Sequence, residues 1–300
     1  MAIHRTLDNI FLVDLDLSLP GFQTFLSSWI IKDGDSAIVI DPGPSATINI
    51  LVSALHEIQV KKIDYIFLTH IHLDHAGGCG ALIRAYPETP IICHPKAIEH
   101  LTDPDRLWEG SLDVLGDLAL AYGKPLPIAR RSICTETTMR WKDYTIHIVN
   151  TPGHASHHMS FLFNDIVFAG EVAGTQVPIN NGLYIRPATP PPFIPQVALQ
   201  SISDVIDLAP HIICYAHYGF LGNARKFLNM ATEQIKLWLE IIEEMKGKGL
   251  NVEYSKIFQE ILAKDSHVKF FNQFDADIKK RELYFINNSI KGMVNFINKR

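Results

Sequence analysis

Residues Asp64-Tyr65-Ile66-Phe67-Leu68-Thr69-His70-Ile71-His72-Leu73-Asp74-His75-Ala76-Gly77-Gly78 run from an apolar pentad into three imidazoles and a carboxylate. The pentad Asp64–Leu68 has the pattern of a buried strand, short and apolar. Crowding His70, His72, Asp74 and His75 into six residues is expensive without a cation, because neighbouring imidazoles desolvate one another and repel as they protonate. In an extended segment His70 and His72 point to the same side, so both can chelate one metal. Asp74 and His75 lie where the chain turns toward a helix and face a second. Gly77-Gly78 then permits a tight turn.

Outward from this stretch the chain alternates strands with helices. Upstream, Asn9–Val13 and Thr24–Lys32 read as strands, and Asp33-Gly34-Asp35 as a hairpin turn into Ser36–Ile40. Asp41-Pro42-Gly43-Pro44 stops that strand, and Ser45 is expected to cap a helix whose apolar positions are Ile48, Leu51, Val52, Leu55 and Ile58. Downstream come a helix near Gly78–Tyr86, a strand at Pro90–Cys93, a helical and looping stretch over 95–120, and strands at Tyr144–Val149, Met159–Phe163, Ile166–Ala169 and His211–Tyr215. Three of these strand ends also deliver metal-ligand types. The segment Thr151-Pro152-Gly153-His154-Ala155-Ser156-His157-His158 presents His154, Glu171 follows Ile166–Ala169, and His217 follows His211–Tyr215. Imidazole and carboxylate without thiolate suit zinc, iron or manganese.

Other residues near these ends carry weaker signals. Ser156 reads as a turn residue, and His157 and His158 as packing or solvent-exposed residues with orientation of His154 as the alternative. Tyr218, beside His217, is a candidate donor to an oxyanion. Arg186 opens a proline-rich stretch and either grips an anionic substrate or lays its stem on the core. His94, His100, His147, His211 and His267 lack companions and read as structural.

The composition bounds the function classes. With 47% hydrophobic and 20% charged residues in 300, the chain has ample core and is not disordered. A net charge of −5 argues against a nucleic-acid coat or a polybasic membrane binder. No apolar run is long enough to span a membrane. The four cysteines, Cys79, Cys93, Cys134 and Cys214, form no CxxC pair. Asp8, Asp14 and Asp16 interrupt the N-terminus where a signal peptide would be apolar, so a cytoplasmic location is expected. Residues 1–222 carry 13 Lys and Arg against 22 Asp and Glu, whereas 223–300 carry 14 against 10. That shift suggests a catalytic domain over 1–222 and a helical extension over 223–300 that packs on it and covers the metal cleft. The extension opens with a helix striped by Phe227, Met230, Ile235, Leu239, Ile242 and Met245 and ended by Gly247 and Gly249. Two or three shorter helices follow, with their basic charges in solvent.

The ordered set HxHxDH, then a Gly-His after a strand, then an acidic residue and a final His after further strands, resembles the metallo-β-lactamase superfamily. The branch it is most similar to holds glyoxalase II-like hydrolases and lactonases. The likeness covers about residues 10–220, and Asp41-Pro42-Gly43 matches the family's early DxG turn. The resemblance implies an α+β fold, an αββα sandwich with the metal site at one edge of its sheets. Carried over, His70, His72 and His154 would hold one metal and Asp74, His75 and His217 the other. The bridging ligand, usually Asp, is here Glu171, one methylene longer. The implied activity is hydrolysis of an ester, lactone or thioester by water activated on two divalent ions, zinc first and iron or manganese next. Asp74 would protonate the leaving group. A mononuclear iron oxygenase of the persulfide dioxygenase type is the alternative, disfavoured by the complete Asp74, His75 and His217 set. A metal-binding or RNA-processing module is the other, disfavoured by the acidic charge. The expected partner is a small-molecule substrate, with neither nucleic acid nor membrane, and a homodimer is the one assembly left open.

Overall fold

The computed structural model describes residues 3–7, 9–179, 182–247 and 253–299. Asp8 and Gly249, used above, lie outside them. The chain falls into two compact units, Met1–Ile148 and Val149–Arg300. The 222/223 boundary suggested by charge lies inside the second.

The first unit is built on a seven-stranded sheet in sequential order: β1 (Ile3–Leu7), β2 (Ile10–Asp14), β3 (Ser27–Asp33), β4 (Ser36–Ile40), β5 (Lys62–Phe67), β6 (Ile91–Ile92) and β7 (Ile133–Cys134). The first four strands are antiparallel and the last four parallel. The parallel crossovers carry the helices α1 (Ile48–Glu57), α2 (Leu73–Ala76), α3 (Cys79–Ala85), α4 (Ile98–Thr102), α5 (Asp105–Leu115) and α6 (Asp117–Tyr122). A hairpin of β8 (Thr138–Trp141) and β9 (Tyr144–Asn150) follows, β9 running through the division between the units. Because β4 and β5 are parallel, with Ile40 opposite Phe67, the residues after them emerge at one edge of the sheet. Asp41 and the run Thr69–His75 meet there.

Two expectations need correction in this unit. The third strand starts at Ser27, not Thr24, because Thr24 takes a left-handed φ of 47° and gives its N–H to the Asp16 carboxylate at 2.7 Å. Ser45 does not cap a helix. It sits inside a 3-10 turn, and its hydroxyl donates to the carbonyls of Gly77 and Lys124, tying the helix start to two loops.

The second unit holds β10 (Met159–Phe163), β11 (Ile166–Gly170), a separate hairpin of β12 (Thr175–Val177) and β13 (Tyr184–Arg186), then α7 (Pro195–Asp207), β14 (Ile212–Tyr215), β15 (Phe220–Gly222), α8 (Ala224–Gly247), α9 (Tyr254–Lys264) and α10 (Ala276–Asn298). Its main strands lie in the order β15, β14, β11, β10. β11 and β14 are parallel, so the residues after them, Glu171 and His217, also leave at one edge. β10 is antiparallel to β11, which returns its first residues, and His158 before them, to that same edge.

The long helix α8 buries Phe227, Leu228, Ala231, Ile235, Trp238, Ile242 and Met245. Met230 and Leu239, expected on this stripe, are only half-buried. Asp265, buried between helices, accepts from Gln234 Nε2 and Trp238 Nε1, each at 2.9 Å. The helices after α8 are both shorter, as expected, although α10 with 23 residues nearly matches the 24 of α8. Not all the basic groups there face water, since Arg281 is buried. No helix among the described residues is long and apolar enough to cross a membrane.

Candidate metal centre

In the first unit the turn after β4 organises the turn after β5. Asp41 is buried, takes a φ of 50°, and accepts three hydrogen bonds. They come from Thr69 N at 2.8 Å, Thr69 Oγ1 at 2.6 Å and His75 Nδ1 at 3.2 Å. Asp tolerates the left-handed region better than most residues. Since the Thr69 hydroxyl proton goes to Asp41, its oxygen accepts from His70 Nδ1 at 3.0 Å. His70 and His75 therefore both carry their hydrogens on Nδ1 and present lone pairs on Nε2. His70 Nε2 lies 3.0 Å from His72 Nδ1, and His75 Nε2 lies 3.6 Å from Asp74 Oδ2. The His70 and His75 rings are 4.2 Å apart.

In the second unit three residues converge on one carboxylate. A register shift between Phe168 and Gly170 against β14, with Gly170 at a left-handed φ of 56°, turns the chain out of the sheet at Glu171. The two carboxylate oxygens of Glu171 then face different imidazoles. Oε2 is 2.8 Å from His154 Nε2, and Oε1 is 3.4 Å from His217 Nε2. Thr175 Oγ1 donates to Oε1 at 3.3 Å. Burial pushes the Glu171 carboxyl up, but the His154 and His217 imidazoles outweigh it and hold the group well below the usual carboxylate range.

The tautomer of His154 tests whether this cluster suits a metal. The carbonyl of Ala188 can only accept, so His154 Nδ1, 3.0 Å away, must donate. In the neutral ring the lone pair is then on Nε2, aimed at a carboxylate oxygen 2.8 Å away. Two electron pairs face each other at that distance only with positive charge between them, a proton or a metal ion. Within each unit the candidate ligand atoms are close enough to share an ion: those of His70 and His72, of Asp74 and His75, of His154 and Glu171 each lie within 4.8 Å of one another.

His158 is fully buried, as the packing reading expects, and it also makes defined hydrogen bonds. Its Nε2 accepts from the backbone N–H of Glu171 at 2.9 Å, so its Nδ1 donates to Thr151 Oγ1 at 2.8 Å. Thr151 passes a hydrogen bond to Ser160 Oγ at 3.0 Å, and Ser160 donates to the Ala169 carbonyl at 3.2 Å. The buried chain thus steadies Glu171, and the His158 ring also stands edge-on to His154 with centroids 6.1 Å apart. The fold of β10 onto β11 explains it, because extending the pairing of Phe161 with Phe168 brings His158 beside Glu171.

Arg186 does not face a cleft as a substrate grip. It is 3% exposed and its Nε donates to Glu282 of α10 at 2.6 Å. Ser156 is an exposed turn residue, and Tyr218 is partly exposed with a φ of 100° directly after His217. His94 caps a turn by accepting from Lys96 N at 3.0 Å, a structural role. A small depression opens beside His154 and Glu171, lined further by Pro187, Ala198 and, from α8, Ala231 and Ile235.

The family model for the metallo-beta-lactamase superfamily matches residues 23–217, which take in every ligand candidate of both units. The chain belongs to the metallo-beta-lactamase superfamily. The metallo-beta-lactamase fold-containing protein ST1585 of Sulfurisphaera tokodaii is 33% identical over 220 residues, 70% of this chain and 77% of that protein. The crystal structure of ST1585 superposes with a TM-score of 0.68 at 22% identity, covering 95% of this chain and 98% of that one, and shows the shared fold of mixed sheets and helices. The probable metallo-hydrolase MJ0888 of Methanocaldococcus jannaschii is 31% identical over 57% of this chain and 81% of its own length. A hydroxyacylglutathione hydrolase of Tolumonas auensis is 27% identical, over 48% of this chain and 45% of that protein.

Proposed function

We propose that the two ligand sets serve one dinuclear metal centre, and that the protein is a hydrolase of esters, lactones or thioesters. The observation that carries this reading is the pair of oxygens on Glu171, each directed at a different imidazole. A carboxylate with its two oxygens directed at different ligand candidates could serve two ions, and the bulge and left-handed glycine before it turn the chain out of the sheet at this position. His70, His72 and His154 would hold one ion and Asp74, His75 and His217 the other, with Glu171 common to both. Divalent ions bound there acidify water to near neutral pH and polarise a carbonyl oxygen.

The chain's own residues do the rest. Asp41 and Thr69 fix the tautomers of His70 and His75 so that Nε2 is available in each. His158 fixes the main chain of Glu171. Asp74, with its side chain 12% exposed, retains contact with solvent and can move a proton through its carboxylate to the departing alkoxide or thiolate. The relatives' names, a metallo-hydrolase and a hydroxyacylglutathione hydrolase, support hydrolysis. The deciding experiment is metal analysis of protein purified without added metal, with turnover measured on a panel of esters, lactones and thioesters. Two equivalents of zinc with hydrolysis of one class is the expected result. One iron with oxygen uptake would replace this reading by the oxygenase.

A further inference from the structure

The segment from Tyr184 to Thr189 is held from two sides by helices near the end of the chain. From α8, Gln234 Nε2 donates to the Ile185 carbonyl at 2.9 Å. From α10, Glu282 accepts from Arg186. Further along α10, Ser289 Oγ donates to the Pro187 carbonyl at 3.0 Å and accepts from Thr189 N at 3.2 Å, while Thr189 Oγ1 donates to the Ser289 carbonyl at 3.2 Å. One turn on, Gly292 stands so close to the Thr189 carbonyl that any Cβ would collide with it. Ala188 lies between the two residues that Ser289 holds, and its carbonyl receives His154 Nδ1–H. Ala188 brings no polar side chain, so its oxygen is placed by the anchoring of Pro187 and Thr189.

We propose that Ser289 and Gly292 of α10 are positioning residues for His154. Acting through Pro187 and Thr189, they set the Ala188 carbonyl, which holds His154 in its Nδ1–H tautomer and aims Nε2 at Glu171. A ligand imidazole whose other nitrogen is hydrogen-bonded keeps its ring orientation and its basicity, and disturbing that partner weakens metal binding. The inference rests on the reading of His154 as a metal ligand. It gives α10 a part in metal binding although none of its residues belongs to the ligand set.

The test uses the full chain, stripped of metal and titrated with Co²⁺. The visible absorption bands are read directly, and affinity is read by competition with a chromophoric chelator. Ser289→Ala removes both hydroxyl contacts, Thr189→Val removes the Thr189 donor at constant shape, and Thr189→Ser keeps it. Gly292→Ala displaces the Thr189 carbonyl by contact alone. The expected result is Co²⁺ affinity lowered about 10-fold, with altered bands, in Ser289→Ala, Thr189→Val and Gly292→Ala. Thr189→Ser should bind as the wild type does, and metal-free melting should identify any variant that is simply misfolded. If Ser289→Ala fails to fold, Thr189→Val carries the same test. Wild-type affinity and bands in both Ser289→Ala and Thr189→Val would overturn the proposal. His154→Ala separates the two failures. Loss of a Co²⁺ there beside unchanged binding in the α10 variants overturns the positioning role alone. A full Co²⁺ complement in His154→Ala overturns the ligand reading as well.

Discussion

Replacing Glu282 by Gln is the perturbation of the second unit with the clearest magnitude. Glu282 has no exposed surface and accepts from Arg186 Nε at 2.6 Å and Arg281 Nε at 3.0 Å, and both arginines are themselves buried. Gln keeps the shape and removes the charge. Arginine cannot lose its proton to compensate, so two buried guanidinium groups lose the carboxylate they share. Breaking a buried ion pair on one side costs about 3–5 kcal/mol, and here one substitution breaks two such contacts. For a unit of this size the melting temperature should fall by roughly 10 °C. The pH dependence follows from the same contacts. Burial raises the Glu282 carboxyl, but Arg186 and Arg281 outweigh it and leave it below its ordinary value of 4.5. A carboxyl depressed in the folded state contributes stability that is complete above the unfolded value and lost as pH falls through the folded one. The gap in melting temperature between wild type and Glu282→Gln should therefore be constant near neutrality and narrow below about pH 4.5. Replacing Arg186 by Met, Arg281 by Leu and Glu282 by Leu together should recover most of the loss. Calorimetry across pH 3–8 reads all of this. A gap of under about 1 kcal/mol, or one that does not narrow in acid, would refute the reasoning.

Glu171→Gln should release one metal ion preferentially and slow turnover by on the order of 100-fold or more, because a neutral amide cannot offset two divalent charges. Glu171→Asp should keep both ions, and metal stoichiometry beside initial rate distinguishes the two outcomes. Removal of metal by a chelator should lower the melting temperature and abolish activity together, since an ion that binds only the folded state stabilises it by mass action; an unchanged melting curve in verified metal-free protein would count against the site. Thr151→Val removes the acceptor of His158 Nδ1–H and the donor to Ser160 Oγ in a buried chain and should cost about 1–3 kcal/mol, read by denaturant unfolding.

The strand ends that place the ligand candidates were legible because the signal is local. An apolar run sets the strand, and the polar residue after it takes the edge; β4, β5, β11 and β14 all follow this rule. What escaped is either main-chain chemistry or long-range pairing. The Ala188 carbonyl has no side-chain signature. His158 is directed at Glu171 only by the return of β10 along β11. The partner of Arg186 lies 96 positions away, so the sequence offered a rigid proline-rich loop and no reason to prefer α10 over a substrate. α7 is masked in the sequence by the proline run before it, although Pro195 occupies a first-turn position that favours helix starts. On α8 the spacing favours a stripe through Met230 and Leu239, whereas the structure turns Trp238 fully inward, bonded to Asp265.

The contacts by which α10 holds the segment Tyr184–Thr189 span 96, 100 and 102 positions of chain. Such distant pairings are the slow part of folding, since the loop entropy is lost before the contact forms. Strands β10 to β14 can associate as soon as they are made, yet the Ala188 carbonyl has no fixed place until residues 282–292 have been synthesised and have docked. On the ribosome, His154 and Glu171 are therefore present well before His154 is oriented. An order of events follows if His154 is the ligand proposed above: tight metal binding would come after the last helix docks, and a chain stalled before α10 would bind metal more weakly.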